Sequence, residues 1–269
     1  MHSKQLKVPA FLQGYARCFW TLETDEVDDL TKSFRTLADG CPGLIFQQPG
    51  EGVLYQNDKA LPSVFLYGQA TTHADLRVKG RFRAVGVFFY PNALQTIFGL
   101  DAHELTDTCI DVDTLSKHST LSAELSGFTS INDLVLHLAQ YLYKQIASHQ
   151  QYADEAITYA VKTIVAAQGM VTIPELRAQL FLSERTFERR FKQSVGITPK
   201  LFIRIIRFQA ALQQMRTQGY AKLSDVAFGY EYADQSHFIR AFKEFAGFSP
   251  FQFQKVTSEV MENLSKVAS

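Results

Sequence analysis

The stretch that decides the fold reads SERTFERRFKQSVGITP over residues 183–199 and returns as DQSHFIRAFKEFAGFSP over residues 234–250. Six pairs of identical residues keep an offset of 51 positions: Phe187/Phe238, Arg189/Arg240, Phe191/Phe242, Lys192/Lys243, Gly196/Gly247 and Pro199/Pro250. A period kept at so many positions indicates two copies of one supersecondary unit. Because two copies are too few for a solenoid, the sequence predicts a pseudo-symmetric pair.

The first copy is predicted to be a helix, a short turn and a second helix. Residues Thr172–Glu175 have the form of a capping box, with a proline early in the helix where its missing N–H costs nothing. A turn is expected at Phe181 and Leu182, and Ser183 is suited to cap the second helix. Gly196 would end that helix. Pro199 would open the next one.

The second copy repeats this plan. Its first helix is predicted to run through Leu223 and Val226, its turn to lie near Glu231, and Asp234 to cap the following helix. Gly247 is placed to end that helix. A long helix from Pro199 to about residue 216 would join the two units.

Each second helix is predicted to bury phenylalanines on one face and to expose a polar stripe on the other. The exposed stripe of the first copy consists of Arg185, Glu188, Arg189 and Lys192. The second copy supplies Ser236, Ile239, Arg240 and Lys243, with Gln235 beside them. Such side chains can reach base edges and phosphates from a helix in a major groove. One stripe alone would be read as a solvated face, but two superposable stripes favour DNA binding.

The second copy contains LSDVA at 223–227, ADQSHFIRAFK at 233–243 and GFSP at 247–250, and the first contains LSERTF at 182–187 and GITP at 196–199. These segments resemble the DNA-binding domain of AraC/XylS-type transcription regulators. The resemblance implies two helix-turn-helix units that enter successive major grooves of double-stranded DNA, in a sequence-specific regulator that activates transcription together with RNA polymerase. Glu231 and Phe181 stand where the family usually has glycine. If the family geometry is kept, Glu231 is held in a left-handed conformation.

The composition agrees with a two-domain chain in which one half binds DNA. The 269 residues carry no net charge, but residues 1–150 hold 12 basic and 16 acidic side chains, whereas residues 151–269 hold 15 and 11. We therefore predict an N-terminal domain at 1–150 and a basic, all-α DNA-binding domain at 151–269.

The N-terminal half is predicted to be a small β-barrel or sandwich with flanking helices, which makes the whole chain α+β. Apolar runs at 15–22, 44–47, 53–55, 64–67 and 82–90 alternate with turn-forming clusters. A short helix should follow from Pro91 to Phe98 and end at Gly99. A longer amphipathic helix is expected from Ile131 to about Ile146, packed on the β domain or on a second copy of the chain.

Residues 39–46 (DGCPGLIF) and 85–91 (VGVFFYP) resemble an uncharacterised cupin-like domain of some AraC-type regulators. That resemblance implies a domain that senses a small-molecule effector, forms a homodimer, or does both. Trp20, Phe82, Phe88 and Tyr90 are the candidate lining of an effector pocket, because such pockets are largely apolar. The alternative is that these aromatic residues are simply core.

The sequence indicates neither an enzyme nor a cofactor. Its histidines are scattered without ligand spacing, Cys18, Cys41 and Cys109 form no C-x-x-C pair, and no catalytic motif occurs. No metal site, signal peptide or membrane span is predicted, and a cytoplasmic location is expected. Two alternatives remain open for the N-terminal half: a catalytic domain of cupin or repair type, or an interaction module without a ligand.

Overall fold

The computed structural model describes residues 2–24, 31–50, 52–115, 120–220 and 222–253. The N-terminal domain is a sandwich of two antiparallel sheets, with strand orders β1-β2-β9-β4-β7-β10 and β3-β8-β5-β6. The strands are β1 (His2–Leu6), β2 (Ala16–Glu23), β3 (Lys32–Thr36), β4 (Gly43–Gln47), β5 (Val53–Gln56), β6 (Lys59–Ala60), β7 (Val64–Tyr67), β8 (Ala74–Lys79), β9 (Arg83–Phe89) and β10 (Cys109–Asp111). The sheets stay separate, so the sandwich alternative is the right one.

The larger sheet is buried on both faces, which explains why β4, β7 and β9 are almost continuously apolar. On one face, Trp20, Phe65 and Phe88 pack against residues of the smaller sheet. On the other face, residues such as Leu44 and Phe89 pack against helices. The five predicted runs correspond to β2, β4, β5, β7 and β9. The remaining strands were missed because they are short, lie at sheet edges, or carry too few buried residues to stand out.

The helices are α1 (Ala93–Phe98), α2 (Leu121–Ser126), α3 (Ile131–His149), α4 (Glu155–Ala166), α5 (Ile173–Leu180), α6 (Glu184–Val195), α7 (Pro199–Thr217), α8 (Leu223–Gly229), α9 (Gln235–Ala246) and α10 (Pro250–Phe253). Gly99 ends α1 with a φ of 69°, as predicted. The apolar face of α3, including Leu134, Leu138 and Leu142, packs into the N-terminal core. Of the helices in the described ranges, none is both long and apolar enough to traverse a bilayer.

The C-terminal domain is built around α7, which runs between the two helix-turn-helix units. Phe202 on α7 packs against Phe191 of the first unit, with 5.6 Å between ring centroids. Six residues further along, Phe208 packs against Phe242 of the second unit, with 5.3 Å between ring centroids. All four rings are fully buried, so this aromatic core holds both units on one helix.

The two domains share an interface in which residues 37–40 enter the C-terminal core. Leu37 and Ala38 are buried among C-terminal residues, and the Ala38 N–H donates to the Phe245 carbonyl at 3.2 Å. Gly40, at φ 74°, lies against the Phe202 ring, where a Cβ atom would come within 3.1 Å of it. The sequence does not predict this contact; residues 39–46 stand out there for their resemblance to a cupin-like domain.

Candidate DNA-binding surface

The first helix-turn-helix unit comprises α5 and α6. Its capping box forms as predicted, because the Glu175 N–H donates to Thr172 Oγ1 and the Thr172 N–H donates to Glu175 Oε2 at 3.0 Å. Phe181 occupies the turn in a left-handed conformation with φ 53°. Ser183 caps α6 by accepting from the Thr186 N–H at 3.3 Å, and Gly196 ends α6 at φ 100°.

The second unit comprises α8 and α9 and follows the same plan with a longer turn. Asp234 caps α9 by accepting from the His237 N–H at 2.7 Å, and Gly247 ends α9 at φ 77°. Glu231 has a φ of 54°, which confirms the left-handed conformation expected at that position. This residue precedes its cap by three positions, whereas Phe181 precedes Ser183 by two. The turns therefore differ by one residue.

All predicted stripe residues lie on the outer faces of α6 and α9. On α6, four stripe residues are exposed: Arg185, Glu188, Arg189 and Lys192. They surround a shallow depression together with Glu184 and Thr198, which the stripe prediction did not include. On α9, four are exposed and one is half-buried: Gln235, Ser236, Arg240 and Lys243 are open to solvent, and Ile239 is partly covered.

Other arginines of this domain are used within the fold. Their ion pairs are Arg177 with Glu184 at 2.7 Å, Arg190 with Asp154 at 2.6 Å, Arg204 with Glu244 at 2.6 Å and Arg207 with Glu231 at 3.3 Å. Within the described ranges, by contrast, no hydrogen bond or ion pair engages the five stripe cations, Arg185, Arg189, Lys192, Arg240 and Lys243. The stripe cations are therefore open to an outside partner.

The neighbours Arg189 and Arg190 show how the helical period separates the two roles. Arg190 points away from the stripe and makes two hydrogen bonds to Asp154, the residue that caps α4. Burial alone would raise the pKa of Asp154, but the hydrogen bonds from Arg190 and from the Ile157 N–H lower it. Asp154 thus stays ionised and keeps Arg190 in the fold, while Arg189 faces solvent.

A second candidate site is a cavity of about 440 Å³ between the two sheets of the N-terminal domain. Trp20, Phe82 and Phe88 line it. Tyr90 does not, and its inclusion in the predicted pocket was wrong. The strand β9 ends at Phe89, so the alternation that points Phe88 inward does not extend to Tyr90, which is 40% exposed.

Cys41 belongs to the wall of this cavity and is held by Arg17. Burial raises the pKa of Cys41 to about 12, although the Arg17 guanidinium, whose Nη1 donates to Cys41 Sγ at 2.6 Å, acts in the opposite direction. The thiol is therefore protonated and unreactive at neutral pH. Among the described residues, no group of three or more His, Cys, Asp or Glu side chains is arranged to hold a metal ion.

Two helix-turn-helix units on a shared helix, each presenting unpaired cations, define a protein of the DNA-binding helix-turn-helix class. Family models agree: residues 176–255 match a helix-turn-helix domain, and residues 5–111 match a domain of unknown function, DUF6597. These two matches support the resemblance to AraC/XylS-type regulators and an N-terminal domain of uncharacterised function.

Each curated relative is similar to this chain over only part of its length. The HTH-type transcriptional activator RhaS of Klebsiella pneumoniae is 28% identical over 88 residues, which is 33% of this chain and 31% of RhaS. An uncharacterised HTH-type transcriptional regulator of Haemophilus influenzae is 29% identical over 143 residues, 49% of this chain and 48% of that protein. The matches thus span less than half the length of these curated relatives. The structure of ToxT from Vibrio cholerae aligns over 87% of this chain and 97% of its own, with 14% identity and a TM-score of 0.45.

Proposed function

We propose that this protein is a sequence-specific DNA-binding transcription regulator that acts as an activator. In this proposal, α6 and α9 enter successive major grooves of double-stranded DNA. The N-terminal domain, residues 1–150, controls residues 151–269 through a small-molecule effector or through homodimer formation. RNA polymerase is the expected protein partner, and the DNA partner implies a cytoplasmic location.

One observation carries this proposal: equivalent helices of a duplicated unit both expose cations that have no partner within the described part of the fold. Arg189 and Arg240 are separated by 51 positions and hold corresponding places on their helices. A guanidinium that is free of protein partners can make two hydrogen bonds to guanine O6 and N7. The lysines one turn later, Lys192 and Lys243, are suited to phosphate contacts, which give affinity without sequence preference.

The proposal is tested by selecting bound sequences from a random pool of duplex DNA with the full chain. Arg189→Ala and Arg240→Ala should each cost roughly 1–3 kcal/mol of binding free energy and relax the preference at one base pair. Lys192→Ala should weaken binding to all sequences alike and reduce the dependence of affinity on salt concentration. Lys162→Ala is the matched control, since Lys162 is an exposed cation on α4, outside both stripes.

The proposal is contradicted if the full chain selects no sequence, or if Arg189→Ala and Arg240→Ala behave like Lys162→Ala.

Control by dimerisation has a separate test. The exposed rings of Phe11 and Tyr143 meet edge to face, with 5.4 Å between their centroids, and Leu136 on the same helix as Tyr143 is 52% exposed. This is the surface on which we expect a second copy to bind. Sedimentation of the wild-type chain and of a Tyr143→Ser variant would show whether it does.

A further inference from the structure

We propose that the cavity of the N-terminal domain binds an uncharged, mainly hydrophobic molecule that carries a hydroxyl group. This inference rests on the proposed control by a small-molecule effector and states the chemical class of that effector. It is carried by the walls of the cavity, by two buried polar atoms without partners, and by the charges around it.

The walls of the cavity come from both sheets and are mostly apolar. Trp20, Phe65 and Phe88 contribute from the larger sheet, and Phe34 and Leu54 from the smaller one. The volume of about 440 Å³ lies within the range of roughly 300–1,000 Å³ that is usual for small-molecule sites. A ligand of this size would bury most of its surface against carbon, so its body must be hydrophobic.

Gln69 supplies a fixed hydrogen-bond acceptor in the lining. The residue is fully buried, and its Nε2 donates to the Gly40 carbonyl at 3.1 Å and to the Pro91 carbonyl at 3.3 Å. Flipping the amide would put Oε1 against two carbonyl oxygens, so its orientation is determined. Oε1 has no partner in the structure. A buried acceptor of this kind calls for a donor, and a ligand in the cavity can supply one.

Trp20 supplies a donor in the same lining. Its side chain is 3% exposed and lies over Gly86, the residue paired with it on β9, where any Cβ atom would collide with the indole. The ring is thus held flat against the strand. Trp20 Nε1 also has no partner. A hydroxyl group can accept from an indole N–H or donate to an amide oxygen, so it suits either of the two orphaned atoms.

The charges around the cavity disfavour an anion. Three carboxylates belong to its lining, those of Asp39, Asp75 and Asp107, whereas no lysine or arginine among the described residues lines it. A carboxylate or phosphate buried there would lie beside these carboxylates, while the nearest guanidiniums are already engaged, that of Arg35 by Asp75 and that of Arg17 by Cys41 and Asp39. A cation gains little either, because Asp75 already accepts two hydrogen bonds from Arg35 and Asp107 accepts two from Thr71. An uncharged ligand avoids the repulsion that an anion would meet, and it does not depend on an ion pair as a cation would.

The site contains its own reporter, because Trp20 is the only tryptophan of the chain. The test uses three probes with the same eight-carbon tail: 1-octanol, octanoate and octylammonium. The full chain is titrated with each at pH 7, with Trp20 fluorescence as the readout and calorimetry as the second measurement. We expect 1-octanol to bind at least tenfold more tightly than either charged probe.

Two variants connect the binding to the cavity. Trp20→Phe removes the indole N–H and should weaken 1-octanol binding, measured by calorimetry, by about 3–10-fold, the share of one hydrogen bond. Ala74→Phe places a ring into the cavity from β8, where Ala74 contributes to its lining, and should abolish binding. Far-UV circular dichroism of the same preparations shows that each variant is folded.

The outcomes separate this inference from the proposed function. Tighter binding of octanoate or octylammonium than of 1-octanol overturns the inference, and so does the failure of all three probes to bind a chain that still selects DNA. Binding of 1-octanol that survives Ala74→Phe places the probe elsewhere and also overturns it. A chain that binds 1-octanol but selects no DNA contradicts the proposed function and leaves this inference standing.

Discussion

The left-handed residues in the two turns give a prediction whose magnitude can be worked out from the structure. Phe181 and Glu231 have φ values of 53° and 54°, and neither is glycine. A left-handed conformation costs a residue with a Cβ atom roughly 1–2 kcal/mol. Glycine avoids this cost but loses about 0.4–1 kcal/mol more in chain entropy on folding. Replacement by glycine should therefore stabilise the fold by about 0.5–1 kcal/mol at either position, unless a side-chain contact is lost.

The two positions differ in what the side chain contributes. Phe181 is 94% exposed, so Phe181→Gly should show the whole gain. Glu231 pairs with Arg207 at 3.3 Å, but its side chain is 61% exposed, so this ion pair is worth at most about 1 kcal/mol. Glu231→Gly should consequently gain less than Phe181→Gly. Glu231→Gln removes the ion pair and keeps the backbone cost, so the difference between these two variants isolates the backbone term.

The assay is urea unfolding of the full chain, followed by the circular dichroism of its helices, with the free energy of unfolding compared between variants. Gly229→Ala serves as an internal comparison, because Gly229 has no positive φ and a Cβ atom there would meet open space. It should stabilise α8 by up to about 1 kcal/mol. The reasoning is refuted if Phe181→Gly destabilises the protein, or if Glu231→Gly is no more stable than Glu231→Gln.

Three further outcomes are expected from buried polar contacts. Because the pKa of Asp154 is lowered in the folded state, its contribution to stability is present at neutral pH and is lost as the pH falls through the acid range. Asp154→Asn should remove that part of the acid-induced loss of stability. Urea titrations at several pH values would measure it. Cys41 is 2% exposed and its pKa is raised to about 12, so a thiol reagent at pH 7 should modify it only after unfolding, as peptide mapping would show. Gln209 Nε2 donates to the buried Ala38 carbonyl at the domain interface, and Gln209→Leu should destabilise the chain by about 1–3 kcal/mol in thermal unfolding.

The local features of the C-terminal domain could be predicted because each depends on residues close in sequence. Ser183 and Asp234 cap helices by bonding backbone amides three residues later, and Gly196 and Gly247 end them through their own backbone freedom. The helical period also separated the stripe from the buried phenylalanines. The helical period could not predict which residue pairs with Arg190, because Asp154 lies 36 positions away in the sequence.

The N-terminal domain was less predictable for the same reason. Strands β3 and β8 pair with each other across some 40 residues, and each buries few side chains against the larger sheet. Their sequences therefore lack the continuous apolar character of β4 and β9. Nothing near Leu37 and Ala38 in the sequence showed that they would be buried among C-terminal residues, because that burial depends on α7 and α9.

Both helix-turn-helix units contact the N-terminal domain, and these contacts lie at corresponding positions of the repeat. Ser194 and Phe245 are 51 residues apart: Ser194 Oγ bonds to Gln95 Oε1 at 3.0 Å, and the Phe245 carbonyl accepts from Ala38.

The glycines that end α6 and α9 are also 51 residues apart, and both meet the N-terminal domain. The Gly196 carbonyl accepts from Thr106 Oγ1 at 2.9 Å, whereas Gly247 lies against His73 and Arg35. His73 also lines the cavity, as do Leu37 and Asp39 on either side of Ala38. The same sandwich therefore contacts the ends of both α6 and α9, and the wall of its cavity includes residues that contact the second unit. A ligand that displaced this wall would act on α9 more directly than on α6, since the contact of Ser194 with α1 involves no residue of the cavity lining.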